Sequence, residues 1–122
     1  GGDDIVGPFD GEGGITLMAD LDAGATGTMP SALIPDLIRR VVEAHRVGDR
    51  EAAVRHYNRI LPLINYENLQ CGLGGTKFIM KEGGVIRSDH VRHPVAPLDP
   101  VLRTELLELT RLVEPLVLRW GL

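Results

Sequence analysis

The stretch Asp22-Ala23-Gly24-Ala25-Thr26-Gly27-Thr28-Met29-Pro30-Ser31 decides how this chain is read. Its order is a helix end, a glycine turn, a short strand and a strand exit. Gly24 stands where a helix C-terminus takes a left-handed residue, and Gly27 lets the backbone approach a neighbouring element. Met29-Pro30-Ser31 then puts an apolar side chain, a fixed φ and a hydroxyl at the strand's exit. Ligands bind at such exits in parallel α/β sheets. The functional reading therefore turns on what ends beside this strand.

Upstream, Ile5-Val6-Gly7-Pro8-Phe9 is a short apolar run that suits a buried parallel strand. Pro8 has no N–H to give a ladder, which confines the regular part to Asp4–Gly7 and leaves Asp10-Gly11-Glu12-Gly13-Gly14 as the turn at its C-terminal end. Ile15 to Ala23 follows as a helix with Ile15, Met18 and Leu21 on one face, closed by Gly24. Downstream, Ile34, Leu37, Ile38, Val41, Val42 and His45 repeat at helical spacing, with Pro35 in the first turn and Gly48 past the last. The order is βαβα.

The remainder is helical. Asp49 caps a helix whose Ala53, Val54, Tyr57, Ile60, Leu61 and Ile64 form a buried face while Arg50, Arg55 and Arg59 point away. Pro62 lies inside it and predicts a kink, because the bond to the Asn58 carbonyl is lost. A further helix is predicted from about Leu69 to Glu82, stopped by Gly83-Gly84. Arg87 to Leu98 holds Pro94 and Pro97 without helical period and reads as an extended connection. Asp99-Pro100 opens the last long helix, with Leu102, Leu106, Leu109 and Val113 inward, and Pro115 ends it before one more turn at Leu116–Trp120.

Two parallel strands cannot bury both sheet faces, and their edges stay open. This predicts missing strands. The fold class is α/β: the last two βα units of a (β/α)8 TIM barrel (1–48) plus a C-terminal helical extension (49–122). Such a barrel takes about 250 residues, roughly twice this length. The chain lacks an initiator Met and begins on the loop-like Gly1-Gly2-Asp3-Asp4, which also suggests a piece of something longer.

The 122 residues carry 43% hydrophobic content and 13 basic against 17 acidic residues, a formal net charge of −4. The charges are interspersed, so no basic footprint for nucleic acid or anionic membrane exists. No apolar run approaches the roughly 20 residues of a membrane span, and Gly1-Gly2-Asp3-Asp4 has no basic n-region or apolar h-region of a signal peptide. Cys71 is the only cysteine, which excludes an intrachain disulfide and a cysteine zinc cluster and fits a reducing cytoplasm.

The candidate chemistry lies at the two strand ends. Asp10 and Glu12 can accept hydrogen bonds from substrate hydroxyls, and Ser31 can donate or accept. The plainer alternative makes both carboxylates turn and first-turn residues suited to a helix dipole. Gly74-Gly75-Thr76-Lys77 has the wrong order for a phosphate loop and lies in a helix, and the glycines around Glu12 lack dinucleotide spacing. His45, His56, His90 and His93 show no metal spacing, and Lys77 and Lys81 read as solvated charges. No metal, no cofactor and no nucleophile–base pair is assigned.

Gly24-Ala25-Thr26-Gly27-Thr28-Met29-Pro30-Ser31 resembles the last barrel strand of the dihydrodipicolinate synthase and N-acetylneuraminate lyase superfamily. Phe9-Asp10-Gly11-Glu12 resembles the turn that ends its preceding strand. Asp20 to Gly27, Leu61-Pro62-Leu63-Ile64-Asn65, Glu67-Asn68, Glu82 to Ile86, Arg92-His93-Pro94 and Pro115 to Trp120 are together similar to the superfamily's sugar-acid hydro-lyases, the L-2-keto-3-deoxyarabonate dehydratases.

The resemblance implies a lysine Schiff base on a small-molecule 2-keto sugar acid, loss of a C3 proton and departure of the C4 hydroxyl. It also implies substrate contacts at Asp10, Gly11, Glu12, Met29 and Ser31, and a homotetramer. The family's lysine and tyrosine precede the residues present here, so no catalytic residue is assigned to this segment, and alone it is expected to be inactive. Pro30 and the extra residue near Gly11 depart from the family pattern. An aldolase or synthase of the same superfamily, or a non-catalytic helical domain binding a partner through the apolar faces around Tyr57 and Leu106, are the alternatives.

Overall fold

β1 (Phe9–Gly13) and β2 (Gly27–Pro30) pair in parallel, with Phe9 beside Gly27 and Asp10 beside Thr28. The computed structural model in which they pair describes residues 7–92 and 94–120. α1 (Leu17–Asp22) makes the crossover between the strands. It ends as the glycine turn requires: Gly24 sits at φ +104°, its N–H bonds Leu21 O, and Ala25 N–H bonds Asp20 O at 2.9 Å. These bonds satisfy carbonyls that the helix end leaves free.

α2 (Pro35–Arg46) and α3 (Arg50–Tyr66) follow, the second capped by Asp49, which accepts from Ala52 N–H at 3.0 Å. α3 passes without a break through Pro62 into a π-helical turn, Glu67–Cys71, and then α4 (Gly72–Glu82). α5 (Pro100–Val113) starts at Asp99, which accepts from Val101 N–H at 2.8 Å, and a 3₁₀ turn, Leu116–Arg119, closes the described chain. The core lies among the helices: Leu17 and Leu21 of α1, Leu37, Ile38 and Val41 of α2, and Ile60 and Ile64 of α3 are buried. Ile79, Leu106 and Val117 continue it under the C-terminal part. The segment after α5 is fastened back, with Leu116 N–H donating to Asp36 Oδ2 at 3.0 Å. Gly83 lets the end of α4 meet that segment, because a Cβ there would collide with the Val117 carbonyl.

Strand alternation gives the two-stranded sheet two unlike faces. Asp10 and Thr28 share the face toward the helices, where Asp10 is buried. Phe9, Gly27 and Met29 share the other, and Phe9 is 53% and Met29 66% exposed. Among the described residues that second face is bare.

Three expectations are corrected. The first strand was expected at Asp4–Gly7, of which 4–6 lie outside the described residues; Gly7 and Pro8 are not in it, and the ladder is Phe9–Gly13. Pro8 faces β2 with its carbonyl, which accepts from Thr26 N–H at 2.9 Å, so its missing N–H interrupts nothing there. Asp10, Gly11 and Glu12 therefore belong to the strand rather than to a turn after it. α1 begins at Leu17 rather than Ile15, because the preceding residues form a glycine turn in which Leu17 N–H bonds Gly14 O. The helix expected from Leu69 instead starts at Gly72, behind the π turn.

Candidate functional site

Parallel pairing brings the exits of β1 and β2 side by side. The register slips between Asp10 and Gly13, so β1 spends one residue more than β2. Such a bulge re-aims side chains at a strand end. Glu12 takes the strained position, exposed at φ +54°. Non-glycine residues in this region cost about 1 kcal/mol, and such strain clusters at functional sites. Gly11 supplies the carbonyl that receives Gly14 N–H at 3.1 Å and turns the chain into α1.

Asp10 lies behind this exit. Its Oδ2 accepts from the Thr28 hydroxyl at 2.6 Å, and its Oδ1 lies 3.5 Å from that of Thr16, which also donates to Asp20 Oδ2 at 2.6 Å. Burial pushes the Asp10 carboxyl up, while the Thr16 hydroxyl holds Asp20 down. Tyr57 of α3 fastens the same turn, its hydroxyl reaching Gly14 O at 2.8 Å and Ile15 O at 2.5 Å.

The β2 exit carries a second network. Ser31 Oγ donates to Glu67 Oε1 at 2.5 Å and accepts from Leu33 N–H at 3.1 Å. The Thr76 hydroxyl donates to the same Oε1 at 2.5 Å. Glu67 is 3% exposed, its Oε2 has no partner among the described residues, and burial pushes its carboxyl up. Met29 points from the bare sheet face.

The adjacent strand exits thus carry Gly11, Glu12, Met29 and Ser31, and Asp10 ties the two strands together through Thr28. Glu67 was missed in the sequence. Its signal was there: it continues the stripe Tyr57, Ile60, Ile64 at helical spacing, a carboxylate where the pattern asks for an apolar residue.

The other singled-out groups are occupied elsewhere. Lys77 Nζ donates to His90 O at 3.0 Å, and Lys81 Nζ lies 3.6 Å from Asp89. His45 Nε2 and Arg50 both meet Asp22, whose carboxyl is held down to about 2 chiefly by the Arg50 guanidinium. Burial raises the Cys71 thiol to about 11, which suppresses thiolate chemistry. Among the described residues no group of three His, Cys, Asp or Glu is placed to hold a metal, and no helix is long and apolar enough to cross a membrane. His93 lies outside the described residues.

The model of the dihydrodipicolinate synthetase family matches residues 7–112. The L-2-keto-3-deoxyarabonate dehydratase of Azospirillum brasilense is 53% identical over 121 residues, covering 99% of this chain and 39% of that protein. Among solved structures, the dihydrodipicolinate synthase of Rhodopseudomonas palustris matches with a TM-score of 0.78 at 34% identity, covering 84% of this chain and 34% of that one. The chain spans well under half the length of these relatives.

Proposed function

This chain belongs to the dihydrodipicolinate synthetase family, and on that premise we propose that it is the C-terminal segment of a Schiff-base hydro-lyase acting on a 2-keto-3-deoxy sugar acid. The observation that carries the reading is the 53% identity to the dehydratase from Azospirillum brasilense. Residues 1–48 supply the last two βα units of a (β/α)8 barrel and 49–122 its helical extension. The bare sheet face with Phe9 and Met29 supports this, since parallel sheets are covered on both sides.

The substrate is L-2-keto-3-deoxyarabonate. A lysine amine from the barrel upstream of this chain adds to the 2-keto group and expels water, forming an iminium. The iminium acidifies C3, a C3 proton is removed, and the C4 hydroxyl leaves as water. Tautomerisation and hydrolysis then free 2-oxoglutarate semialdehyde and the amine, a net loss of one water. Neither Lys77 nor Lys81 is that amine, since both lie on α4 and meet loop groups.

Within this chain Glu12 and Ser31 meet substrate hydroxyls, the Gly11 backbone shapes the approach, Met29 walls the pocket and Asp10 holds the two strands in register. The assembled enzyme is a cytoplasmic homotetramer. The full-length protein, given L-2-keto-3-deoxyarabonate, is expected to form 2-oxoglutarate semialdehyde. The 122-residue chain alone is expected to give no borohydride-trapped adduct with pyruvate or the keto acid.

The 34% identity to a dihydrodipicolinate synthase supports a second reading, a condensing or cleaving enzyme of the same family. Turnover of pyruvate plus an aldehyde, with no dehydration of the sugar acid, would establish it in place of the first.

A further inference from the structure

Glu67 is the one carboxylate among the described residues that is both buried and joined to a strand exit by a direct hydrogen bond on the side of Ser31. Three elements converge on it: the residue after β2 through Ser31, the π turn that carries it, and α4 through Thr76. π turns are energetically poor and recur at functional sites. Glu67 opens this one at the inward-facing end of the α3 stripe, with helical backbone of its own.

We propose that Glu67 is a positioning residue that holds the Ser31 hydroxyl as a hydrogen-bond acceptor toward the ligand, so that the β2 exit reads a hydroxyl group that donates. The argument is a count of protons and lone pairs. A serine hydroxyl has one proton and two lone pairs. The proton goes to Glu67 Oε1, and one lone pair takes Leu33 N–H. What remains for a ligand is a single lone pair. A substrate hydroxyl can fill it; a carbonyl or carboxylate oxygen cannot. Thr76 donates to the same Oε1, a second bond that keeps the carboxyl from rotating away.

The inference rests on the keto-sugar-acid reading, and its test separates the two. Affinities of the full-length protein are measured for a 4-hydroxy-2-keto acid and for pyruvate, which has no hydroxyl donor at that position. The wild type is expected to favour the hydroxylated acid. Loss of one neutral hydrogen bond corresponds to about a tenfold change in affinity. The ratio of the two affinities is therefore expected to fall about tenfold in Ser31→Ala and in Glu67→Leu, through KM more than kcat. Glu67→Gln keeps an acceptor oxygen for Ser31 and Thr76, and is expected to keep the wild-type ratio.

Where Glu67→Leu fails to fold, Glu67→Gln and Ser31→Ala carry the test. A Glu67→Gln protein that loses the preference, or a Glu67→Leu protein that retains it, overturns the assignment. A wild type that binds the two acids equally overturns it and leaves the keto-acid reading standing. Binding of neither acid overturns both.

Discussion

The bare sheet face gives a prediction that needs only this chain. Phe9 is 53% and Met29 66% exposed on one side of a sheet that, among the described residues, has two strands and free edges. Full burial of such side chains is worth about 1.5–3 kcal/mol each. In proportion to their exposure, Met29 has about 1–2 kcal/mol and Phe9 about 1–1.5 kcal/mol still to gain. A symmetric contact counts each twice, giving about 4–7 kcal/mol, against an association cost of about 4–15 kcal/mol. The patch alone brings two copies close to balance, and hydrogen bonding along the unpaired strand edges tips it toward association.

The isolated chain is therefore expected to self-associate at micromolar to millimolar concentration. Met29→Lys removes about 2–4 kcal/mol of the contact and places a charge on it, weakening association on the order of a hundredfold. Sedimentation at several concentrations, run on wild type and Met29→Lys side by side, measures this. A wild-type chain that stays monomeric and melts in one sharp two-state transition refutes the reasoning. So does a Met29→Lys chain that associates as tightly as wild type.

Other expectations concern single contacts. Tyr57→Phe removes the hydroxyl that fastens the β1–α1 turn at Gly14 O and Ile15 O, and is expected to cost about 1–2 kcal/mol in denaturant titration. Gly83→Ala forces a methyl against the Val117 carbonyl and is expected to cost about 1–3 kcal/mol, as overpacking does, with no recovery on shortening other nearby side chains because the obstacle is backbone. Asp22 has a folded carboxyl near 2, below its ordinary 3.8, so its pairing with Arg50 and His45 contributes stability that is present above about 3.8 and lost as pH falls toward 2. Asp22→Asn is accordingly expected to flatten that part of the melting-temperature profile, and an unchanged slope between these pH values would show the pairing to be without effect.

Local signals carried much of the fold. Gly24 ends α1, and Asp49 and Asp99 cap α3 and α5, because each bond closes within a few residues. The apolar stripe of α2 marks its buried face for the same reason. β1 was displaced because its sequence, Phe9-Asp10-Gly11-Glu12-Gly13, has turn composition, and only the partner strand makes it a ladder. α3 runs on past Pro62 to Tyr66, because Leu63 and Ile64, buried beyond the proline, hold the helix together there. At the candidate site, the neighbouring exits of the two strands followed from the βαβ order, but the division of labour there did not.

The chain by itself determined the sequence of strands and helices, their caps, and a motif pair at two adjacent strand exits, since all of these depend on spacing of a few residues. The tertiary structure decided which carboxylates are buried and what they hold. Asp10 meets Thr28 across 18 residues and Glu67 meets Ser31 across 36. The α3 stripe marks Glu67 for the inside, but which groups a buried acid meets at that separation depends on how the elements pack, and no local pattern fixes it.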